Sequence, residues 1–596
     1  MRMHRRSLLM GAAALALAKA AAAPLAQAAG ARRVRPGDAG WPNEQQWNEL
    51  KAAVGGELAK PVTPYASCQT VPAADCFKLL RNPFYLGDQP GGTQVGGWLD
   101  AWTPQPSAYA VAARTAADVA AAVDFARRHD LRLVVKGGGH SYQGTSNAAD
   151  SLLIWTRPMR QIELHDAFVP QGCAGRQAPE PAVSVGAGAM WIDAYDAVTT
   201  NAGRYVQGGG CTTVGVAGHI QSGGFGSFSK GFGLAAASLL EAEVVTGDGV
   251  VRIANACRDP DLFWALKGGG GGCFGVVTRL TLRTHELPRT FGWAELDIKA
   301  ASDDAYRRLI DRFMAFYGEA LFNPHWGEQA VVRRDKVLRI RMVSQGLDSA
   351  EARAVWRPFL TWVAASPQDF SLSAPAQIGV APARGWWDAE GRRKHGDKAM
   401  VADDRPGAPP AHAWWRGDQD QVSSFLHGYE SVWLPATLLR PDRRGGLSEA
   451  LFAASRSMDV ELHFNKGLAG APAEAVRRAA DTATNPAVLT AFALAITATG
   501  GIPPLPGLPG QDLGAAHRNA AAVDRAAAEL KKVAPDHGSY VSESNYFNAH
   551  WQHAFWGRNY ARLRAIKHHY DPAGLFFAHH GAGSEDWSPD GFRRLA

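Results

Sequence analysis

The sequence predicts an α+β protein of at least two lobes, and three observations carry that expectation. At 596 residues the chain exceeds the roughly 250–300 residues at which one hydrophobic core stops growing. Between about 103 and 290, short apolar runs alternate with helical patterns, the texture of an α+β or α/β unit. From about 291 the runs alternate apolar and polar side chains, as in an antiparallel sheet with one polar face, covered by helices.

Composition narrows the class. Hydrophobic residues make up 46% and charged residues 20%, which excludes collagen, a coiled coil and a mostly disordered chain. The one strongly apolar run, Leu8 to Ala18, has 11 residues, short of the roughly 20 that span a bilayer. The net charge of +6 is mostly local: Arg2, Arg5, Arg6 and Lys19 lie in residues 1–28 with no acid, so the remainder carries only +2. No basic run of the kind a nucleic-acid binder presents is visible, so no nucleic-acid partner is expected.

Residues 1–28 read as an export signal. A charged start with paired Arg5-Arg6 precedes a short Ala/Leu run, and Ala26-Gln27-Ala28 offers a small-residue cleavage site. The paired arginines resemble a twin-arginine signal, which implies folding before export, a periplasmic or secreted destination, and no membrane anchorage after cleavage. Six cysteines, at 68, 76, 173, 211, 257 and 273, permit disulfides in such a compartment. Cys68 with Cys76 and Cys257 with Cys273 are both possible pairs, and spacing does not fix the connectivity.

The elements follow in order. Residues 29–102 are rich in Pro, Gly and Trp and read as an irregular lead-in. Thr115-Ala-Ala-Asp118 has the form of a capping box, followed by Val119, Val123 and Ala126 on one helical face. Strands are expected at 131–135, 152–155, 183–185, 243–245 and 276–282, with a short helix at 261–267. Beyond 291, half-buried strands are expected at 337–343 and 458–465, and helices at 349–364 and 515–533; 402–411 and 501–510 read as loops.

Two glycine-rich segments carry the chemistry. Lys136-Gly137-Gly138-Gly139-His140-Ser141-Tyr142 follows a strand, and glycines there let backbone N–H groups approach a pyrophosphate. It is neither a G-x-G-x-x-G fingerprint nor a Walker A loop. The second segment is Gly208-Gly-Gly-Cys211-Thr-Thr-Val214-Gly215-Val-Ala-Gly218-His219, then Ser222-Gly223-Gly224-Phe-Gly226. Cysteine among so many glycines reads either as a small buried residue or as a nucleophilic thiol beside a planar ligand.

Together these segments resemble the flavin-binding signature of the p-cresol methylhydroxylase (vanillyl-alcohol oxidase) superfamily, and its berberine-bridge-enzyme-like branch in particular. The run from Leu262 through Val277 and the run Gly557-Arg-Asn-Tyr-Ala-Arg-Leu with Lys567 and Asp571-Pro572 are similar to that family as well. The resemblance implies a PCMH-type FAD-binding domain at 103–290, a substrate domain at 291–535 and a C-terminal segment, 536–596, returning to the FAD lobe. It implies FAD bonded to His140 and Cys211, with Lys136, Gly137, Gly138, Gly139, Ser141, Tyr142, Val214, Gly215, Gly218, His219, Gly223, Gly224 and Val277 around it. The two attachment positions are 71 residues apart, slightly more than is usual in the family, and an extra loop around His165–Pro181 would account for the excess.

The same resemblance places Tyr540 over the flavin as an aid to substrate deprotonation, with Ser542 where the family usually carries Asn. An unperturbed tyrosine is a poor base at neutral pH, so Tyr540 needs a cation or donor; His463 or Lys466 is expected to serve, with His463 and Glu543 as further catalytic candidates. The implied reaction is hydride removal from an alcohol-type C–H of a small molecule, a sugar or other alcohol, with O2 as acceptor. Val214, three positions past the cysteine, matches the family's oxidases rather than its dehydrogenases. A dehydrogenase with another acceptor and a catalytically silent flavin- or sugar-binding protein stand as alternatives. His568-His569 and His579-His580 read as structural, since adjacent residues point apart in regular structure, and no metal is expected. The pairs Trp386-Trp387 and Trp414-Trp415 read as packing or as a platform for a ring.

Overall fold

A computed structural model of the chain describes residues 30–64, 66, 72–502, 510–536 and 538–595. Residues 1–28, expected as an export signal, and Cys68 lie outside them. Three main sheets, besides a two-stranded ribbon of Met400–Ala402 with Ala413–Trp415, organise the described residues. A four-stranded sheet runs in the order Leu58–Ala59, Tyr109–Ala112, Ser151–Trp155, Arg132–Lys136, its last three strands parallel. Helix Ala116–Arg128 covers it, started by Thr115, whose hydroxyl accepts from the Asp118 N–H. Val119, Val123 and Phe125 of that helix are buried against Leu133, Leu152 and Ile154.

A six-stranded antiparallel sheet follows, in the order Ile162–Phe168, Glu180–Gly186, Val276–Glu286, Leu239–Val245, Val251–Asn255, with Arg204–Val206 added on Val276–Glu286. The residues after His165, expected as an extra loop, are therefore partly strand. Their turn is tied down by a disulfide between Cys173 and Cys257. Cys257 does not pair with Cys273, which is a free buried thiol; Cys76 is disulfide-bonded.

The third sheet has eight antiparallel strands, in the order Phe370–Leu372, Thr290–Ala300, Val337–Gln345, Trp326–Val332, Val460–His463, Ala491–Gly501, Phe425–Pro435, with Gln377–Pro382 beside Thr290–Ala300. Helices Asp303–Phe316, Pro441–Ser455 and Leu513–Val533 bury Leu309, Leu451 and Val523 against one face, together with Leu338, Ile340 and Leu462 from the strands. Alternation therefore leaves Arg341, Gln329 and His463 on the opposite face, which looks toward the two smaller sheets.

The lead-in is more regular than its composition suggests. Glu44–Ala53 is a helix with a reciprocal Asn43/Gln46 cap, and its Trp47 and Leu50 are buried. The C-terminal residues pack onto the first two sheets: helix Tyr560–Tyr570 lies on Pro260–Leu266, and the buried Lys567 Nζ donates to Asp571 and to the Cys273 and Phe576 carbonyls. Among the described residues no helix is long and apolar enough to cross a membrane.

Candidate flavin-binding and active site

Between the polar face of the eight-stranded sheet and the two smaller sheets lies a cavity of about 1060 Å³, at the upper end of small-molecule and cofactor sites. The two glycine-rich segments form one wall. They cross where Gly138 meets Gly215: a Cβ on Gly138 would stand 2.8 Å from the Gly215 nitrogen, and one on Gly215 would stand 2.8 Å from the Gly138 nitrogen. Any side chain at either position would separate the segments and open the wall.

His140 follows the first crossing point, with its Nε2 3.2 Å from the Thr213 hydroxyl. Burial pushes its imidazole down to about 4, so at neutral pH it is uncharged and keeps a free lone pair. Cys211 is half-buried and free. Burial, and then the charge of Asp418, pushes its thiol well above the ordinary value. His140, Cys211, Gly137, Gly138, Gly139, Ser141, Tyr142, Val214, Gly215, Gly218, His219 and Val277 all line the cavity.

Lys136 lines the cavity too, but turns its ammonium onto a loop, donating to the carbonyls of Gln89, Pro90 and Gly92 at 2.5, 2.8 and 2.7 Å. Two expected cofactor residues act from behind the wall. Gly223 and Gly224, both at positive φ, bend the chain so that the Phe225 carbonyl comes within 3.0 Å of His219 Nε2.

The sheet supplies the opposite wall. One register row crosses it, Gln377 opposite Glu295, then Arg341, Gln329 and His463, and all five side chains line the cavity. His463 Nε2 is 3.0 Å from Glu461 Oε2. A carboxylate only accepts, so Nε2 carries the proton and Nδ1 keeps its lone pair. Lys466 Nζ donates to Glu543 at 2.6 Å.

Tyr540 is buried against Phe225, ring centroids 5.0 Å apart. Its hydroxyl meets the Ser542 side chain and the Gly224 backbone; burial first, then the Glu543 charge, raises it well above the ordinary tyrosine value. Lys466 is therefore engaged with Glu543 rather than with Tyr540, and no cation is among the groups that set the Tyr540 hydroxyl.

Two family models match the chain, one described as an FAD binding domain over residues 106–255 and one described as berberine and berberine like over residues 528–582. A VAO-type flavoprotein oxidase of Thermothelomyces thermophilus, VAO615, is 27% identical over 94% of this chain and 95% of its own length. The crystal structure of VAO-type flavoprotein MtVAO615 from Myceliophthora thermophila superposes with a TM-score of 0.74 at 26% identity, covering 94% of this chain and 98% of that one. Along most of its length the chain is thus similar to VAO-type, berberine-bridge-like FAD oxidases. It is an enzyme, an FAD-linked oxidoreductase. A glucooligosaccharide oxidase of Acremonium strictum, whose structure is titled for its 6-S-cysteinyl, 8α-N1-histidyl FAD, shares the fold with a TM-score of 0.59 at 16% identity over 82% of this chain and 94% of that one.

The residues present fit FAD. Besides the glycine wall, the cavity is lined by buried polar atoms without a partner among the described residues: Gln94 Oε1, Gln143 Oε1, Gln221 Oε1, His219 Nδ1 and Asn465 Oδ1. Unsatisfied buried groups cost about 1–3 kcal/mol each, so several together mark a surface built for a polar ligand. The sequence reading missed Gln94, Gln143, Gln221 and Asn465, which stand in no motif. It also missed Asp418, on the turn Arg416–Gln421, and Glu328, held at φ 63° on the cavity wall. The tryptophan pairs are mainly packing: Trp386, Trp387 and Trp414 are buried in the core, while Trp386, Trp414 and Trp415 also reach the cavity. His579 and His580 do not point apart; positive φ at His580 lets their rings stack at 3.9 Å. No metal cluster occurs among the described residues.

Proposed function

We propose that the enzyme carries FAD bonded to both His140 and Cys211, oxidises an alcohol-type C–H of a hydroxyl-rich small molecule, and passes the electrons to O2 with release of H2O2. The observation that carries this reading is convergence: the two attachment candidates, the His463–Glu461 pair and Tyr540 all line one cavity. FAD supplies hydride acceptance when bound; the chain supplies position and proton transfer. His463 takes the hydroxyl proton on Nδ1, and Glu461 holds the ring and stabilises the charge it gains. Tyr540, kept protonated by burial and by Glu543, donates a hydrogen bond to the reacting oxygen. The row Gln377, Glu295, Arg341, Gln329 offers donors and acceptors to further hydroxyls. The sugar-oxidase relative supports a carbohydrate or similar polyol as substrate.

The test is anaerobic: candidate alcohols and oligosaccharides should bleach the flavin, and admitted O2 should restore it with one H2O2 per turnover. Val214 lines the cavity three residues past Cys211. Val214→Leu adds one methylene to a close-packed wall, enough to fill a space the size of O2. Stopped-flow reoxidation should slow at least about tenfold, roughly 1.4 kcal/mol of barrier, with flavin reduction nearly unchanged. Wild-type reoxidation as slow as that of the Leu variant replaces the oxidase reading with a dehydrogenase.

We also propose export by the twin-arginine route, with cleavage after about Ala28. The Cys173–Cys257 disulfide and the bonded Cys76 support an oxidising destination. Arg5→Lys with Arg6→Lys should leave uncleaved precursor in the cytoplasm, and normal export of that variant counts against the route.

A further inference from the structure

The segment between Gln377–Pro382 and Phe425–Pro435 crosses the cavity and ends in the turn Arg416–Gln421. It is fastened beside the second glycine-rich segment, where the Thr212 hydroxyl donates to the Ala413 carbonyl at 2.7 Å. It reaches the first segment as well, where the Tyr142 hydroxyl is 3.4 Å from Gln421 Oε1. Between these two fastenings the turn delivers Asp418 into the cavity wall. It lies there beside Cys211, in the same wall, and its carboxyl is among the groups that act on the thiol. One of its carboxylate oxygens, Oδ2, is buried and has no hydrogen-bond partner among the described residues. No cation pairs with Asp418 among the described residues; its charged neighbour is Glu328. A carboxylate left unpaired against a thiol costs stability, and packing alone would be served as well by a neutral side chain.

We propose that Asp418 is the proton acceptor for the Cys211 thiol when the enzyme attaches its own flavin. This rests on the proposed bond between FAD and Cys211, taken at flavin carbon 6 as in the 6-S-cysteinyl FAD of the Acremonium strictum oxidase. In the step, the thiol proton moves to the Asp418 carboxylate and the Sγ–C6 bond forms. The hydrogen on C6 leaves as a proton, and the electron pair passes through the flavin to O2, which takes two protons and leaves as H2O2. The thiolate, not the thiol, is the nucleophile. At Cys211 burial opposes the thiolate, so a base in contact is what the reaction requires. Burial and the Glu328 charge hold the Asp418 carboxyl up to about 7, which matches an acceptor working near neutral pH.

The experiment uses full-length wild type and Asp418→Asn, an isosteric change. Peptide mass spectrometry after alkylation counts Cys211 as flavin-linked or as free thiol, and His140 serves as the internal control. Wild type should be flavin-linked at both residues. In Asp418→Asn purified at pH 7, His140 should stay fully linked while the linked fraction of Cys211 falls below about a tenth. Incubating that variant in air at pH 9 should restore the Cys211 bond, roughly 100-fold faster than at pH 7, because the thiolate fraction rises about tenfold per pH unit. Under argon any newly linked flavin should be left reduced, and admitted air should oxidise it with release of H2O2. A merely structural Asp418 would show no such recovery with pH. Linkage within twofold of wild type in Asp418→Asn overturns the role of Asp418 and leaves double attachment standing. Free Cys211 in the wild type overturns both. Newly linked flavin that is already oxidised under argon overturns the route of the electrons.

Discussion

His140→Ala combined with Cys211→Ala should give a protein that releases all of its flavin when precipitated with acid, whereas wild type should release none. Each single variant should retain one covalent bond and a yellow precipitate. Acid removes every non-covalent contact, including the glycine wall at Gly138 and Gly215, so only bonds at these two positions can hold flavin through it. The neutral, buried His140 favours its own attachment, since burial holds its imidazole down to about 4 and leaves a lone pair free at neutral pH. Cys211 lacks that advantage, because its thiol is pushed up. The two bonds should therefore differ in sensitivity: Asp418→Asn should behave as Cys211→Ala does, keeping flavin through His140 alone. Complete release from wild type would sink the double attachment outright.

What the sequence made legible was local. The strand 132–136 running into Gly137, the helix capped by Thr115, and the helix at 349–364 with its Asp348 cap are set by contacts within a few residues, so turn chemistry and periodicity predict them. Strands Ala491–Gly501 and Phe425–Pro435 went unrecognised because both are buried along most of their length. Burial on two faces erases the alternation that identifies a strand. Helix Pro441–Ser455 has Gly445 and Gly446 in its first half and is held by packing on Asp303–Phe316 and Leu513–Val533 rather than by propensity. The site divides in the same way. His140 and Cys211 announce themselves through their flanking glycines. Asp418 and Glu328 do not, because their positions depend on a long excursion and on a cross-strand register that no short motif encodes. His463 was reached through the alternation of 458–465, but its partner within the site was not: Lys466 pairs with Glu543, and Tyr540 is left to Ser542 and the Gly224 backbone.

That arrangement decides which residue should matter most to the chemistry. His463→Gln keeps a polar side chain on the same strand but removes the imidazole base. If His463 accepts the substrate proton, anaerobic flavin reduction should slow by roughly 10²–10⁴-fold, the usual worth of a positioned general base, while both flavin bonds stay intact. Glu461→Gln leaves the base in place and removes the charge that steadies it, so a smaller loss is expected. Tyr540→Phe keeps the ring against Phe225 and removes a donor that burial and Glu543 already keep protonated. Loss of one neutral hydrogen bond is worth about 0.5–1.5 kcal/mol, so reduction should slow no more than about tenfold. The opposite ranking, with Tyr540→Phe losing 10²–10⁴-fold and His463→Gln staying within tenfold, would make the Tyr540 hydroxyl the acceptor. The cavity would then have to lower that hydroxyl by more than the amount that burial and Glu543 now raise it, since even an unperturbed tyrosine is a poor base at neutral pH.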